Sequence, residues 1–209
     1  MRVLHINDYE ALGGAEVVMG QTLALLQEAG VEARAFTGRD LPSRRRTPLR
    51  YIASGPARRA LGAVLQQWRP QVIHLHNFYH LLSPAILAEI ARYKAQAPVR
   101  VVMTAHDYHL ICPNPGLRFF RRGQAQPADP ARLGRWSYLL RRRWDERSGL
   151  RSLLRLAQRW WNYSGTGDRR RVLDAVLCPS RCVLRDLAPL GLRSVWLPNP
   201  MPQIGRAHV

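Results

Sequence analysis

Val3-Leu4-His5-Ile6, running into Asn7-Asp8-Tyr9-Glu10-Ala11-Leu12-Gly13-Gly14-Ala15-Glu16, is the stretch on which the fold of this chain turns. An apolar, strand-like segment ends in a short polar loop and a glycine pair. A helical pattern follows at once, with Val17, Val18, Leu23, Leu25 and Leu26 as its apolar positions and Gly30 as its stop. A helix beginning directly after a strand leaves its first amides free to donate, and the macrodipole adds partial positive charge there. Glycine lets another group come close to that backbone, so the junction is suited to an anion. The same residues also suit a plain tight turn, and the chain lacks the G-x-G-x-x-G fingerprint of dinucleotide sites.

Working outward, the alternation repeats. Strand signals cover Val3–Ile6, Val31–Phe36, Val72–Leu75 and Val99–Thr104, and helical signals cover Gly14–Ala29, Pro56–Trp68 and Pro84–Ala95. Short apolar strands separated by amphipathic helices predict an α/β fold: a Rossmann-like parallel sheet with helices on both faces. Residues 39–50, centred on Arg44-Arg45-Arg46, read as a solvated polar loop.

The pattern stops between Cys112 and Pro130, where Pro113, Pro115, Gly116, Gly123 and Pro127 predict a long irregular loop. Ala131–Tyr163 then reads as a long basic helical insertion, interrupted near Ser148-Gly149. Leu133, Trp136, Leu139 and Leu140, continued by Leu150, Leu153, Leu154, Ala157, Trp160 and Trp161, form its apolar face. Arg147, Arg151, Arg155 and Arg159 recur every fourth residue on the other side. Two readings stand: a packed apolar face with an exposed charged one, or an interfacial helix on anionic lipid. Alternation resumes with a helix at Arg169–Asp174, a strand at Ala175–Cys178, a helix at Ser180–Leu187 and a strand at Val195–Leu197.

At 209 residues the chain suffices for one full domain, and 46% hydrophobic content excludes wholesale disorder. A net charge of +18 suggests an anionic partner. Lys94 is the only lysine among 32 basic residues, a skew that a GC-rich coding sequence also produces, so nucleic acid is the lesser alternative. Cys112, Cys178 and Cys182 are an odd set without metal-ligand spacing, read as reduced thiols of a cytoplasmic protein. No apolar run reaches the about 18 residues needed to span a bilayer. The last six residues, Ile204–Val209, match the translation of a common sequencing-library adapter. The expectation is therefore a domain over residues 1–202, a non-native tail over 203–209, and a natural protein that continues further.

Ligands of open parallel sheets sit outside the carboxyl ends of the strands. Four polar segments follow such ends: Asn7–Gly14, His74-Leu75-His76-Asn77, His106-Asp107-Tyr108 and Ser180. His74 and His76 alternate, so they face one side with Leu75 opposite. With no carboxylate or third histidine nearby in sequence, packing or substrate hydrogen bonding is favoured over metal. His106 is an imidazole able to titrate near neutrality beside a carboxylate; it suits catalysis or a structural role.

M-R-V-L-H-I-N…G-G-A-E, P-Q-V-I-H-L-H-N-F, T-A-H-D-Y-H-L-I-C-P-N and L-C-P-S-R-C-V…W-L-P-N-P occur in that order from Met1 to about Pro202. Together they resemble the N-terminal domain of retaining glycosyltransferases of family 4, which have the two-domain GT-B fold. The resemblance implies a hexosyltransferase-type enzyme that moves a sugar from a nucleotide-sugar to a glycan or lipid-linked acceptor in cell-surface polysaccharide or glycolipid synthesis. It implies a donor-diphosphate contact at Gly13 and Gly14 and His106 beside the transferred sugar. It further implies an acceptor pocket drawing on Asn7, Glu16, His76, Asn77, Asp107, Tyr108 and Asn114, and an interdomain junction at Ser180, Asn199 and Pro200. No metal or other cofactor is expected, because protein cations serve the diphosphate. The family's C-terminal domain is absent from the sequence, so these residues alone are expected to be inactive, with peripheral membrane contact through 131–163 as a further expectation. The rival reading is a basic α/β module for nucleic acid, whose binding would fall steeply with salt.

Overall fold

Six parallel strands, numbered in chain order, lie side by side as Glu32–Phe36 (β2), Arg2–Ile6 (β1), Val72–Leu75 (β3), Arg100–Thr104 (β4), Ala175–Cys178 (β7) and Ser194–Trp196 (β8). This is a computed structural model, and it describes residues 1–10, 13–163 and 168–200. Ala11 and Leu12 of the first loop, and the expected tail over 203–209, lie outside the described residues. The central strands read as apolar runs because both their faces are covered: Ile73, Leu75, Val101 and Val176 are all fully buried. Each such side chain gains about 1.5–3 kcal/mol over an exposed one.

Helices Gly14–Glu28 (α1), Pro48–Ile52 (α2), Gly55–Trp68 (α3), Ile86–Lys94 (α4) and Arg181–Leu187 (α7) join the strands. Thr47, Ser54 and Ser180 cap α2, α3 and α7 with side-chain oxygens. The chain leaves β1 toward β2 on one side and returns past it to β3 on the other. The strand order therefore reverses between β1 and β3, which opens a crevice at their carboxyl ends.

The segment 112–130 is not irregular throughout. Arg118–Arg121 (β5) and Gln124–Pro127 (β6) form an antiparallel hairpin. Its two-residue turn, Arg122-Gly123, has positive φ at both positions (51° and 81°), the mirror-image turn that matches strand twist. Arginine in place of the usual Asn or Asp hid that signal.

Nor is 131–163 one helix. It divides into a short 3-10 turn at Pro130–Arg132, Trp136–Leu140 (α5) and Gly149–Tyr163 (α6). The reading of α6 as a packed apolar face with exposed arginines is inverted at several positions, although Arg147 and Arg151 are exposed and Leu154 and Ala157 half-buried as that reading expects. Leu150, Leu153, Trp160 and Trp161 are exposed, while Ser152, Gln158, Arg159 and Asn162 are buried. The cause is the demand of neighbouring loops for donors. Arg159 donates to the carbonyls of Ile111 and Leu133, Arg155 to Pro113, Gln158 to Tyr51 and Tyr79, and Asn162 to Ile52. Long loops carry carbonyls with no ladder to join, and α6 satisfies them with its polar side.

Candidate active site

The loop after β1 is built around two buried polar side chains. Asn7 donates to the Glu16 carboxylate (2.9 Å) and the Tyr9 carbonyl (2.7 Å), and accepts from the Asn77 amide (2.8 Å). One side chain thus ties the β1 loop, the first turn of α1 and the β3 loop together. Asp8 accepts from the amides of His80, Leu81 and Leu82 at 2.7–2.8 Å. Burial pushes its carboxyl up to about 6, against the pull of those three amides toward the anion. The β2 loop closes on the same point: the Gly38 amide donates to the Asp8 carbonyl, and a Cβ at Gly38 would come within 2.7 Å of that oxygen.

Gly13 precedes α1 in an extended conformation, and no side chain caps the helix among the described residues. A Cβ at Gly14 would meet nothing within 4 Å. The packing of the described residues therefore makes no demand for glycine there, and first-turn amides that no side chain caps are the donors a ligand anion would use.

Histidines pack from β1 to the end of β4. His5 and His74 are register partners on neighbouring strands, and His74 and His76 share one face with ring centroids 4.3 Å apart. His5 Nδ1 lies 3.1 Å from His76 Nε2, and His76 Nδ1 lies 2.9 Å from His106 Nε2. His74 Nε2 meets the Thr104 hydroxyl at 2.8 Å. Burial keeps all of these rings neutral, lowering His5 to about 4, His74 to about 3 and His76 well below its usual range. Burial also lowers His106, although Asp107 and Glu16 pull it back upward.

The far end of this chain sets its polarity. His5 Nε2 is buried without a hydrogen-bond partner among the described residues. A bare lone pair is tolerated there more cheaply than an orphaned N–H. His5 Nδ1–H therefore donates to His76, and His76 Nδ1–H donates to His106 Nε2. That leaves the proton of neutral His106 on Nδ1, the nitrogen with no protein partner among the described residues.

Ring nitrogens of His5, His74 and His76 lie within 4.8 Å of one another, close enough to raise the question of a metal. The residues do not fit one well. All three are buried with no carboxylate among them to offset a divalent charge, and two are already spent on imidazole contacts.

The other expected site residues have internal partners. The Asp107 carboxylate holds His109 through its ring Nδ1 and its amide, and that partnership keeps Asp107 low despite its burial. The Tyr108 hydroxyl reaches Asp186 on α7. Asn114 donates to the Trp144 carbonyl and accepts from the Gly116 amide, pinning the start of the hairpin loop. Ser180 caps α7, and Asn199 and Pro200 follow β8, half-buried.

Sequence reasoning missed the buried Asp8 and His5, which support this region from beneath, and the Arg44–Arg46 segment beside it. Asp8 was legible as the first charge after a strand. The place of the arginines was not legible, because the partner segment in α6 lies more than a hundred residues away.

A family model described as Glycosyltransferase Family 4 matches residues 12–201. No curated protein sequence matches the chain.

Proposed function

The chain belongs to glycosyltransferase family 4, and from that premise we propose that it transfers a sugar from a nucleotide-sugar to a glycan or lipid-linked acceptor. The observation that carries this reading is one connected wall at the sheet's switch point. It runs from the first turn of α1 through Glu16, Asn7, Asn77 and His76 to His106, every step a hydrogen bond or a chain neighbour.

On this reading the amides at Gly13 and Gly14 receive the donor diphosphate, and His106 Nδ1–H donates to a hydroxyl of the sugar being moved. The anomeric C–O bond to the diphosphate breaks and a C–O bond to the acceptor hydroxyl forms, with the hydroxyl's proton leaving to the diphosphate. Negative charge grows on that leaving group, so fixed dipoles aimed at it lower the barrier. Retention of configuration follows the family resemblance. Residues 1–200 supply one wall of the cleft, Asn199-Pro200 leads out of it, and a second lobe supplies the nucleotide-sugar pocket and the remaining cations. No step is routed through a metal.

The exposed side of α6 supports work at a membrane surface. Leu150, Leu153, Trp160 and Trp161 all face outward beside Arg147 and Arg151, a composition suited to the headgroup layer. No described helix is long and apolar enough to cross a membrane. The inner face of the cell membrane, where lipid-linked acceptors meet nucleotide-sugars, is the proposed location.

The test is release of nucleoside diphosphate from a panel of nucleotide-sugars by a polypeptide that carries this domain together with its donor lobe. Release that disappears with His106→Ala is expected. No release from any nucleotide-sugar, with or without acceptor, would overturn the reading.

A further inference from the structure

Outside the histidine wall, six arginines line a single cleft of about 340 Å³. They are Arg44, Arg45 and Arg46 from the β2 loop, Arg50 from α2, and Arg151 and Arg155 from α6. Among the described residues Asp145 is the only carboxylate on its lining, and Arg155 already engages it at 3.1 Å. So dense a set of like charges in a concavity raises the local potential well above that of a flat basic face.

Several of these heads are held in place. Arg44 Nε donates to the Gly38 carbonyl, and Arg46 donates to the Tyr9 hydroxyl at 2.7 Å with its guanidinium 5.8 Å from the ring centre. Arg50 donates to the Ser43 hydroxyl and the Arg45 carbonyl. The side chains of Arg45 and Arg151, by contrast, have no hydrogen bond or ion pair among the described residues, Arg45 being tied only through its backbone amide and carbonyl. Fixed cations around two uncommitted ones are the arrangement expected of a receptor for a multivalent anion. Leu41, Leu81 and Leu154 provide an apolar floor, and Tyr51 and His80 complete the wall. His80 is kept neutral, lowered to about 4 by burial first and then by the nearby His109, Arg155 and Arg46, against the upward pull of Asp107.

The cleft adjoins the wall described above. The His80 amide is held by Asp8, and the Tyr9 ring that seats Arg46 lies 6.3 Å from the His80 ring. A group held among the arginines would thus lie against the same β1 and β3 loops that lead to His106.

We propose that this cleft binds a phosphate or diphosphate ester carried by the acceptor, so that the acceptor of the transfer is an anionic molecule. Planar guanidinium groups match phosphate oxygens in pairs, and a dianion or trianion relieves the mutual repulsion of the cations. The inference rests on the transferase reading for the word acceptor, but anion binding is testable without it.

The probes are inorganic pyrophosphate, a soluble sugar 1-phosphate, and phosphatidylcholine vesicles with and without phosphatidic acid, each titrated against the chain. The double variant R45A/R151A is compared with R121A/R193A, which removes the same charge outside the cleft. The cleft variant is expected to lose about tenfold or more in affinity, as for a lost pair of charge-assisted contacts, while the control changes little. A cleft-dependent loss with the soluble probes identifies free phosphate esters as sufficient. The same loss confined to phosphatidic acid vesicles identifies a lipid headgroup as the source. Equal weakening by both variants, or no binding of any probe, overturns the proposal. In the two-lobed polypeptide, R45A/R151A should retain hydrolysis of the nucleotide-sugar while transfer falls. A wild type that neither hydrolyses nor transfers would instead sink the transferase reading and leave the anion-binding result standing.

Discussion

His76 holds the ring of His106: its Nδ1 lies 2.9 Å from His106 Nε2, while its own Nε2 is met by His5 Nδ1 at 3.1 Å. With His5 Nε2 buried and unpartnered among the described residues, protons along this chain point one way, toward His106 Nε2. On the proposed reading, His106 then offers Nδ1–H to the sugar being transferred.

Nitrogen-15 correlation spectra of the imidazoles at pH 7.5 should therefore find His106 neutral and protonated on Nδ1. A proton on Nε2 would refute the direction assigned. His76→Phe, which keeps a ring but removes both nitrogens, should lower turnover by about 10–100-fold, as when the partner orienting a functional imidazole is lost. The fall should lie in kcat rather than in KM, because the ring is misdirected rather than removed.

Gly14→Val separates folding from binding. A Cβ there meets nothing within 4 Å, so the unfolding free energy should change by no more than the about 0.5 kcal/mol typical of surface changes. Nucleotide-sugar turnover in the two-lobed polypeptide should nonetheless fall by about 100-fold or more, the size of effect seen when a donor to a developing oxyanion is lost. A folded Gly14→Val protein with normal turnover would remove the diphosphate from this position.

Acidification should destabilise the fold. His5, His74, His76 and His80 all have folded-state pKa values below the ordinary 6.5, with burial the leading cause in each. The unfolded chain therefore takes up protons first. The stability is fully present above about pH 6.5 and is lost as pH falls toward 4. Asp8 acts in the opposite sense, since its raised pKa of about 6 makes the folded state gain a proton as pH falls through that value. Four imidazoles outweigh one carboxyl, and even one net proton gives a slope of about 1.4 kcal/mol per pH unit. Thermal melts between pH 7.5 and 5 check this, with a shallower slope expected for His74→Gln. A melting temperature that is flat or rises on acidification would contradict it.

The inverted helix α6 predicts an unusual pair of results. Arg159→Met leaves the buried carbonyls of Ile111 and Leu133 without their donor and should cost about 2–4 kcal/mol in chemical denaturation. Leu153→Ser on the outward face should cost no more than about 0.5 kcal/mol. W160A/W161A should leave the melting temperature unchanged and weaken binding to anionic vesicles. A large stability loss from Leu153→Ser would mean that this face is packed after all.

The parallel sheet was legible because its signals are local. Val72–Leu75 and Val99–Thr104 are short apolar runs between periodic helices, and the residues just past their carboxyl ends include His76 and His106. That His74 and His76 share a face followed from strand alternation alone. The hairpin at 118–127 escaped because Arg122-Gly123 is a weak form of its turn signal. The sense of α6 escaped for a deeper reason. Periodicity reports that a helix has two unlike faces, and apolar-side-in is the usual resolution. Here the last turn of α2 at 51–52 and the loops at 79, 111–113 and 133 need hydrogen-bond donors, and that need is set by tertiary structure. The arginine cleft is hidden in the same way, since it exists only where residues 44–50 meet residues 151–155.

The most direct test compares wild type with His106→Ala and Gly14→Val in the polypeptide that carries both lobes, reading nucleoside diphosphate release from a nucleotide-sugar. The account predicts turnover in the wild type and its loss in both variants, each still folded by circular dichroism. Turnover unaffected in either folded variant would contradict the claim that the α1 junction and His106 form one transfer site.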